Sequence, residues 1–297
     1  MTSLTIILVL LSAFFHALWN FYAKSSTSTQ IFFFWMGIFT LFLTLIVFSI
    51  RLPIIPSQVW VYVILSGLVH FGYWFSLSRA YMAGDISFVY PIARSAPAFV
   101  PLFALLFLGE SISTRGLVGI FCVVLAIYLF QQRGKETSYK SILQYARKPD
   151  SIWAFSTLGT VITYSLIDKQ GMAEFHSYFN KASVWNAMAY YLAEGCIALI
   201  LYNVYIFLRF RWGQIAEIGR REWKQVITAA TMAMVSYTLI LYLLMTEKVS
   251  YIVALRQCSV IFAVLLGSYK LRESGLRRRL AGAALMVFGM FLIAVSE

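Results

Sequence analysis

Leu108-Gly-Glu-Ser-Ile-Ser-Thr-Arg-Gly-Leu-Val-Gly119 returns 163 positions later as Leu271-Arg-Glu-Ser-Gly-Leu-Arg-Arg-Arg-Leu-Ala-Gly282. The same ungapped shift lays Ser87 on Ser250, Phe99 on Phe262 and Leu102 on Leu265 upstream, and Val124 and Leu129 on Val287 and Leu292 downstream. Apolar identities are cheap in an apolar chain. Leu-x-Glu-Ser followed by Arg-x-Leu-x-Gly in one register is not, and it marks an internal repeat.

Composition says what is repeated. Of 297 residues, 61% are hydrophobic and only 12% charged, with a mean hydropathy of +0.78. Soluble domains run at about 45–50% apolar and about 25% charged, so a soluble enzyme, a disordered chain and a nucleic-acid binder are all excluded as good readings. Ten stretches are long and apolar enough to span a bilayer, at roughly 17–25 residues each: 3–23, 31–50, 58–80, 87–108, 114–131, 152–168, 182–208, 223–245, 250–270 and 277–295. The longest connector carries Arg133, Lys135, Lys140, Arg147 and Lys148. It divides the chain into a first repeat (1–131), a basic linker (132–151) and a second repeat (152–297). Five spans per half is an odd number, so the second copy enters the membrane in the opposite sense. The expected fold is an all-α membrane protein of ten transmembrane helices, two inverted-topology five-helix repeats around a central cavity, as in secondary transporters.

Cys122, Cys196 and Cys258 lie in apolar runs without C-x-x-C spacing and read as small packing residues. The run Leu4–Phe15 has no basic leader and continues through His16, Trp19 and Asn20, so it reads as a retained first helix. No nucleotide-binding or common hydrolase motif is present, and neither a cofactor nor a metal is expected.

The stretch Ala80-Tyr-Met-Ala-Gly-Asp-Ile-Ser-Phe-Val-Tyr-Pro-Ile-Ala-Arg94, followed by Leu108-Gly-Glu110, resembles the first repeat of EamA-type carriers of the drug/metabolite transporter superfamily. His16-Ala-Leu-Trp-Asn20-x-x-x-Lys24 and Ala254-Leu-Arg-Gln-Cys-Ser259 with Leu-Arg-Glu273 fit the same family. The resemblance covers essentially the whole chain. It implies ten helices, a central cavity, and export or exchange of small metabolites without ATP. The chain departs from internal symmetry in its fourth span, which holds Pro91, Pro97 and Pro101 where the ninth has none.

Loop charge is lopsided. With the termini on one side, that side holds Arg51, Arg115, Lys169, Lys181 and Lys248. The other holds Lys24, Arg79, the five linker residues, then Arg209, Arg211, Arg220, Arg221, Lys224, and Lys270, Arg272, Arg277, Arg278, Arg279. Cytoplasmic loops carry the excess of Lys and Arg, so the count puts both termini outside, whereas the family resemblance favours termini inside.

An ionisable side chain at mid-membrane costs at least about 2.5–3.5 kcal/mol on insertion scales, so His16, His70, Arg94, Glu194 and Arg256 each need a reason. A guanidinium beside Tyr90 and Pro91, where proline frees backbone carbonyls, suits bidentate capture of a carboxylate or phosphate-like group. Polar and aromatic residues also form one-face stripes: Ser12, His16 and Asn20; His70, Tyr73/Trp74, Leu77 and Tyr81; Thr157, Thr160, Tyr164 and Asp168; Asn186, Tyr190 and Glu194. Four stripes on separate helices predict one wet cavity. Arg94 and Arg256 are the expected anion holders, with His16, Trp19, Asn20, His70, Tyr73, Trp74, Tyr90, Tyr164 and Tyr237 around the substrate. Glu194, His16 and His70 are the proton-coupling candidates. Glu110 and Glu273 are expected to face the positive end of the helix that follows each. Trp35, Trp60, Trp153, Trp212 and Trp223 are expected at the membrane interface. Gly116, Gly119, Gly282 and Gly289 should permit close helix approach, and Gly84 and Pro91 are candidate hinges.

The expected activity is secondary transport in a bacterial inner membrane: export or exchange of a small zwitterionic or anionic, amino-acid-like metabolite by alternating access. Its partners would be that small molecule and the lipid bilayer, not nucleic acid, and the protein would be a monomer or homodimer. Import of an organic anion or phosphonate is one alternative. A membrane-embedded enzyme using His16, His70 and Glu194 is another.

Overall fold

A computed structural model describes residues 1–83, 92, 95–131, 151–259, 261–262 and 276–296. Ten helices of eight or more residues, and no strand, occur among these described residues. They are α1 (Ser3–Ser25), α2 (Thr29–Ile50), α3 (Ser57–Ala83), α4 (Ala96–Leu108), α5 (Thr114–Gln131), α6 (Ser151–Phe179), α7 (Val184–Arg209), α8 (Trp212–Leu244), α9 (Val249–Arg256) and α10 (Leu276–Ala294). Five of them, α1, α2, α3, α7 and α8, are long and apolar enough to cross a membrane. Their outer faces are bare hydrocarbon, with Leu45 72% and Leu208 80% exposed. A water-facing surface does not carry such side chains in number.

Local chemistry sets the helix ends. The hydroxyls of Thr2, Ser28 and Ser183 accept from the backbone N–H three residues on, at 3.2, 3.5 and 3.5 Å, filling orphan donors of α1, α2 and α7. Pro97 occupies the first turn of α4, where its missing N–H costs nothing. Gly109 ends α4 in the left-handed region at φ 65°, and Glu110 N–H closes that turn on the Ala104 carbonyl at 3.2 Å.

Three sequence boundaries are corrected. The sixth span does not stop at 168 but runs to Phe179, because Gln170–Phe179 offers no helix breaker other than Gly171, whose missing side chain makes room for Tyr190 and Tyr62. The eighth begins at Trp212 rather than 223, so Arg220, Arg221 and Lys224 are helical rather than loop residues. Gly219 admits the Trp35 ring there, and Trp35 Nε1 donates to the Ile215 carbonyl at 2.8 Å. Trp35 therefore pins α8 to α2 rather than standing free at an interface. The helix opening at Val249 ends at Arg256 in tightened turns, Gln257 N–H to Ala254 O and Cys258 N–H to Leu255 O, both at 3.1 Å. The rest of the predicted ninth span falls mainly outside the described residues. So do the linker 132–150, Gly84, Asp85, Pro91 and Glu273.

The bundle is held by helix pairs drawn from both halves of the chain: α5 with α10, α3 with α6, α1 with α8, α2 with α7 and α8, and α4 with α9. At the α5–α10 crossing a methyl on Gly119 would stand 2.7 Å from the Gly289 carbonyl, and one on Gly289 would stand 2.7 Å from the Gly119 carbonyl. Only glycine lets the two backbones meet. The α1–α8 seam is closed by a reciprocal pair, Ser12 Oγ to the Ser236 carbonyl at 2.8 Å and Ser236 Oγ to the Ser12 carbonyl at 2.9 Å.

One end of the bundle gathers both termini, with the Met1 amine 3.3 Å from the Ala294 carbonyl. Lys169 belongs to this end, but it is not a loop residue. It reaches from α6 to the Leu244 and Glu247 carbonyls at 2.9 and 2.8 Å, satisfying the last turn of α8 as a cation does best. Glu110 also acts here. It accepts from Val249 N–H at 2.7 Å, Ser250 N–H at 3.3 Å and Ser250 Oγ at 2.8 Å. A helix N-terminus is its partner as expected, but that of α9, not of the adjacent α5.

Candidate functional site

Seven helices leave a cavity of about 70 Å³ in the middle of the bundle, tighter than the roughly 300–1,000 Å³ of an open small-molecule site, so a metabolite enters only as the walls part. Its wall includes His16 and Trp19 from α1, Phe33, Met36 and Thr40 from α2, and His70, Tyr73 and Trp74 from α3. Tyr164 comes from α6, Tyr191, Glu194, Gly195, Ala198 and Leu199 from α7, Ala233 and Tyr237 from α8, and Arg256 from α9. Eight of the sequence candidates are thus brought together: His16, Trp19, His70, Tyr73, Trp74, Tyr164, Tyr237 and Arg256. Glu194, the coupling candidate, joins them. Asn20 is not on the wall; its amide donates to the His16 carbonyl at 2.8 Å and lies 3.3 Å from His16 Nε2. Arg94 and Tyr90 lie outside the described residues.

The cavity has two polar poles. At one, Arg256 Nη2 donates to His16 Nδ1 at 3.2 Å, and its guanidinium carbon stands 5.1 Å from the centre of the Tyr237 ring. Arg256 Nε is buried and has no partner among the described residues. At the other pole, His70 Nδ1 lies 3.1 Å from Glu194 Oε2, and Glu194 is 2% exposed. The His70 ring stacks on Tyr164 at 4.2 Å and meets Tyr237 edge-on at 5.4 Å. Between the poles runs an aromatic wall in which Trp74 meets Phe33 at 4.7 Å and Trp19 at 5.9 Å. Such a wall supplies large, stiff apolar contact, while the poles fix the orientation of whatever enters.

The sequence reading missed one central residue. Asp168 appears there only as the end of a polar stripe, on a span taken to stop at it. In the structure it is 0% exposed, well inside α6. Its Oδ1 accepts from Ser66 Oγ at 2.5 Å and from Tyr190 OH at 3.1 Å, and its Oδ2 accepts from Tyr237 OH. Three hydroxyls from three other helices converge on one carboxylate. The i, i+4 spacing of Ser66 to His70, of Tyr190 to Glu194 and of Tyr164 to Asp168 itself was the available signal. No group of three or more His, Cys, Asp or Glu side chains placed to hold a metal ion occurs among the described residues.

The comparisons with known proteins bear on the whole chain. A curated relative from Sinorhizobium sp, named as an uncharacterized transporter in the cobO 3' region, is 33% identical over 66 residues, 22% of this chain. This chain spans about half (47%) of that relative's length. A protein solved by crystallography superposes with a TM-score of 0.71 at 14% identity, covering 98% of this chain and 96% of that one. At that identity the likeness speaks for the fold alone. The model of the EamA-like transporter family matches twice, over residues 3–131 and 151–295. With its apolar helices and its match over nearly the full length, the chain is a multi-pass membrane protein and belongs to the EamA-like transporter family.

Proposed function

We propose that the protein is a secondary transporter that exports or exchanges a small anionic or zwitterionic metabolite of amino-acid size across a bacterial inner membrane. The observation that carries this reading is Arg256. A guanidinium in the wall of a mid-bundle cavity, with a buried Nε that no described residue satisfies, is a charge and a donor awaiting an acceptor. A ligand carboxylate or phosphonate would supply both. The His70–Glu194 pair lines the same space and suits an ammonium group, which is why a zwitterion fits better than a simple anion.

Two inverted repeats rocking about this site account for the helix pairing. Exchanging the first five helices for the last five turns the α1–α8 contact into α6–α3, and leaves α5–α10, α2–α7 and α4–α9 as self-pairs. All of these contacts occur among the described residues, which supports an inverted-repeat carrier working by alternating access. Met1 and Ala294 share one end, and among the described residues the other end carries the excess of Lys and Arg, which supports an orientation with that basic end in the cytoplasm.

The test is counterflow in proteoliposomes, using the twenty proteinogenic L-amino acids and a set of small carboxylates and phosphonates. Uptake of at least one is expected, lost in Arg256→Ala and not restored in Arg256→Lys, because lysine has no planar fork. A substrate handled equally well by wild type and Arg256→Ala would overturn the assignment of the anion pole. Arg94→Ala gives the same test of the sequence candidate beyond the described residues.

A further inference from the structure

A line of close polar contacts, an ion pair followed by hydrogen bonds, leaves the cavity at Glu194 and runs into the closed part of the bundle. Glu194 Oε2 is 3.1 Å from His70 Nδ1, His70 Nδ1 is 3.1 Å from Ser66 Oγ, and Ser66 Oγ is 2.5 Å from Asp168 Oδ1. We propose that Asp168 is the group that holds and releases a proton coupled to the transport cycle, reached from the cavity through Glu194, His70 and Ser66. This rests on the transport reading above and adds to it a coupling ion and a residue outside the substrate cavity.

Geometry and chemistry favour a proton over a metal cation at this place. All three groups around the carboxylate, Ser66, Tyr190 and Tyr237, are hydroxyls donating to it, and each can turn to accept when the carboxyl gains its own hydrogen. A buried carboxylate with rotatable hydroxyl partners can take up charge or lose it without moving the backbone. The charged and titratable groups facing it are few. From α3 there is His70, from α7 Tyr190 with Glu194 behind it, and from α8 Tyr237, whose ring separates Asp168 from Arg256 on α9. On α6 itself Tyr164 lies one turn back. Lys169 follows in sequence but is engaged by the Leu244 and Glu247 carbonyls. No Lys, Arg or His nitrogen lies within 4.0 Å of Asp168 among the described residues, where His70–Glu194 is the one ion pair. The α4 helix, also packed on α6, brings no titratable side chain.

The transfer balances. His70 Nδ1 also faces the Ser66 carbonyl at 3.1 Å, so it carries a hydrogen at rest. The imidazolium gives that hydrogen to Ser66 Oγ as the Ser66 hydroxyl hydrogen passes to Asp168 Oδ1, and the emptied Nδ1 takes a hydrogen from a protonated Glu194, which becomes a carboxylate. One O–H bond is broken at Glu194 and one formed at Asp168, and His70 and Ser66 end as they began. His16, the third coupling candidate, is not on this line, since its Nδ1 accepts from Arg256.

The test needs no substrate. Full-length protein in lipid vesicles is stepped between acid and alkaline pH while the carboxylic C=O stretch is followed by infrared difference spectroscopy. In Glu194→Gln, where the other carboxyl of the line is gone, a buried protonated carboxyl that disappears as pH rises is expected, and it is missing once Asp168→Asn is added. The same band in the double variant would overturn the proposal. Should Asp168→Asn fail to fold, Ser66→Ala decides: it keeps the acceptor and breaks the line, so the band should remain but follow a rapid pH jump roughly tenfold or more slowly. An unchanged rate in Ser66→Ala would overturn the relay. The outcomes separate the two readings. A titrating Asp168 in a protein that exchanges none of the metabolites tested would leave the relay standing and remove the assigned cargo, whereas intact exchange without the band would do the reverse.

Discussion

Replacing Glu110 should damage the fold and the site at once, although it lies in a turn far from the cavity in sequence. Its carboxylate accepts two backbone N–H groups at the start of α9 and the Ser250 hydroxyl, at 2.7, 3.3 and 2.8 Å, and it is 7% exposed. Hydrogen bonds to a charged acceptor contribute about 1.5–3 kcal/mol each, and a buried donor left without a partner costs about 1–3 kcal/mol. These terms overlap, and water enters some of the space vacated, so Glu110→Ala should cost about 3–5 kcal/mol. Glu110→Gln keeps one accepting oxygen and loses the charge at the helix end, for about 1–2 kcal/mol. Ser250→Ala loses only its hydroxyl bond, about 1 kcal/mol. The assay is SDS-driven unfolding in mixed micelles, read by tryptophan fluorescence for the three variants side by side. Arg256 closes the same eight-residue helix, so fraying its first turn should weaken anion binding as well. A Glu110→Ala protein within about 0.5 kcal/mol of wild type, the scatter of an ordinary surface substitution, would refute the reasoning. So would a Glu110→Ala protein no less stable than Ser250→Ala.

Gly119→Val should cost about 3 kcal/mol or more, because its side chain must displace the Gly289 backbone rather than a flexible tip. The same denaturation assay reads it, and folded protein should keep its transport rate, since α5 and α10 supply none of the cavity wall. In Gly219→Val the Trp35 ring is pushed out and the first turns of α8 come loose; faster tryptic cleavage after Arg220 and Arg221 is the expected readout, and wild-type cleavage would contradict it. Ser12→Ala and Ser236→Ala should each cost about 0.6 kcal/mol, up to about 1.7 kcal/mol, the range for hydrogen bonds between membrane helices, and the costs should nearly add in the double variant because each hydroxyl donates to a backbone carbonyl that the other substitution leaves in place.

Much of this architecture was legible in the chain, and what was not has definite causes. Helical spacing of polar and aromatic residues is a local property, so the stripes on α1, α3, α6 and α7 named His16, His70, Tyr73, Trp74, Tyr164 and Glu194 of the cavity wall. Phe33, Met36 and Thr40 were missed because α2 is apolar on every face, and nothing in Phe32-Phe33-Phe34 tells the side that meets Trp74 from the side that meets lipid. Boundaries failed where hydropathy stood in for helix propensity. Lys169–Phe179 and Trp212–Lys224 are polar enough to look like loops but hold nothing that stops a helix, and each gains tertiary contacts there, Lys169 to α8 and Gly219 to Trp35. Asp168 was lost to the same mistake, since a residue at the supposed end of a span needs no explanation. Glu110 shows the other limit. Its chemistry was read correctly, but which helix end it caps is a fact of topology, 139 residues away.

Asp168 and Arg256 stand on the two sides of one tyrosine, the hydroxyl of Tyr237 on the carboxylate and its ring 5.1 Å from the guanidinium carbon, and that arrangement ties anion binding to proton binding. The sign follows from charge alone. At high pH a carboxylate sits behind Tyr237 and offsets part of the attraction that Arg256 exerts on an anion. At low pH the carboxyl is neutral and the offset is gone, so anion affinity must rise as pH falls. Two unit charges roughly 10 Å apart in a medium of effective dielectric constant about 20 interact by about 1.7 kcal/mol, or roughly 15- to 20-fold in affinity. Linkage is reciprocal: the anion must raise the affinity of Asp168 for its proton by the same factor, so cargo and proton load and cross together, a steep outward cargo gradient carrying the proton out with it. In Asp168→Asn the carboxylate is permanently absent, and affinity for an anionic cargo should sit near its acid value at every pH. Binding measured by tryptophan quenching across the pH range tests both halves. A pH dependence equally steep in wild type and Asp168→Asn, or affinity rising with pH in wild type, would show that the proton acts somewhere other than behind Tyr237.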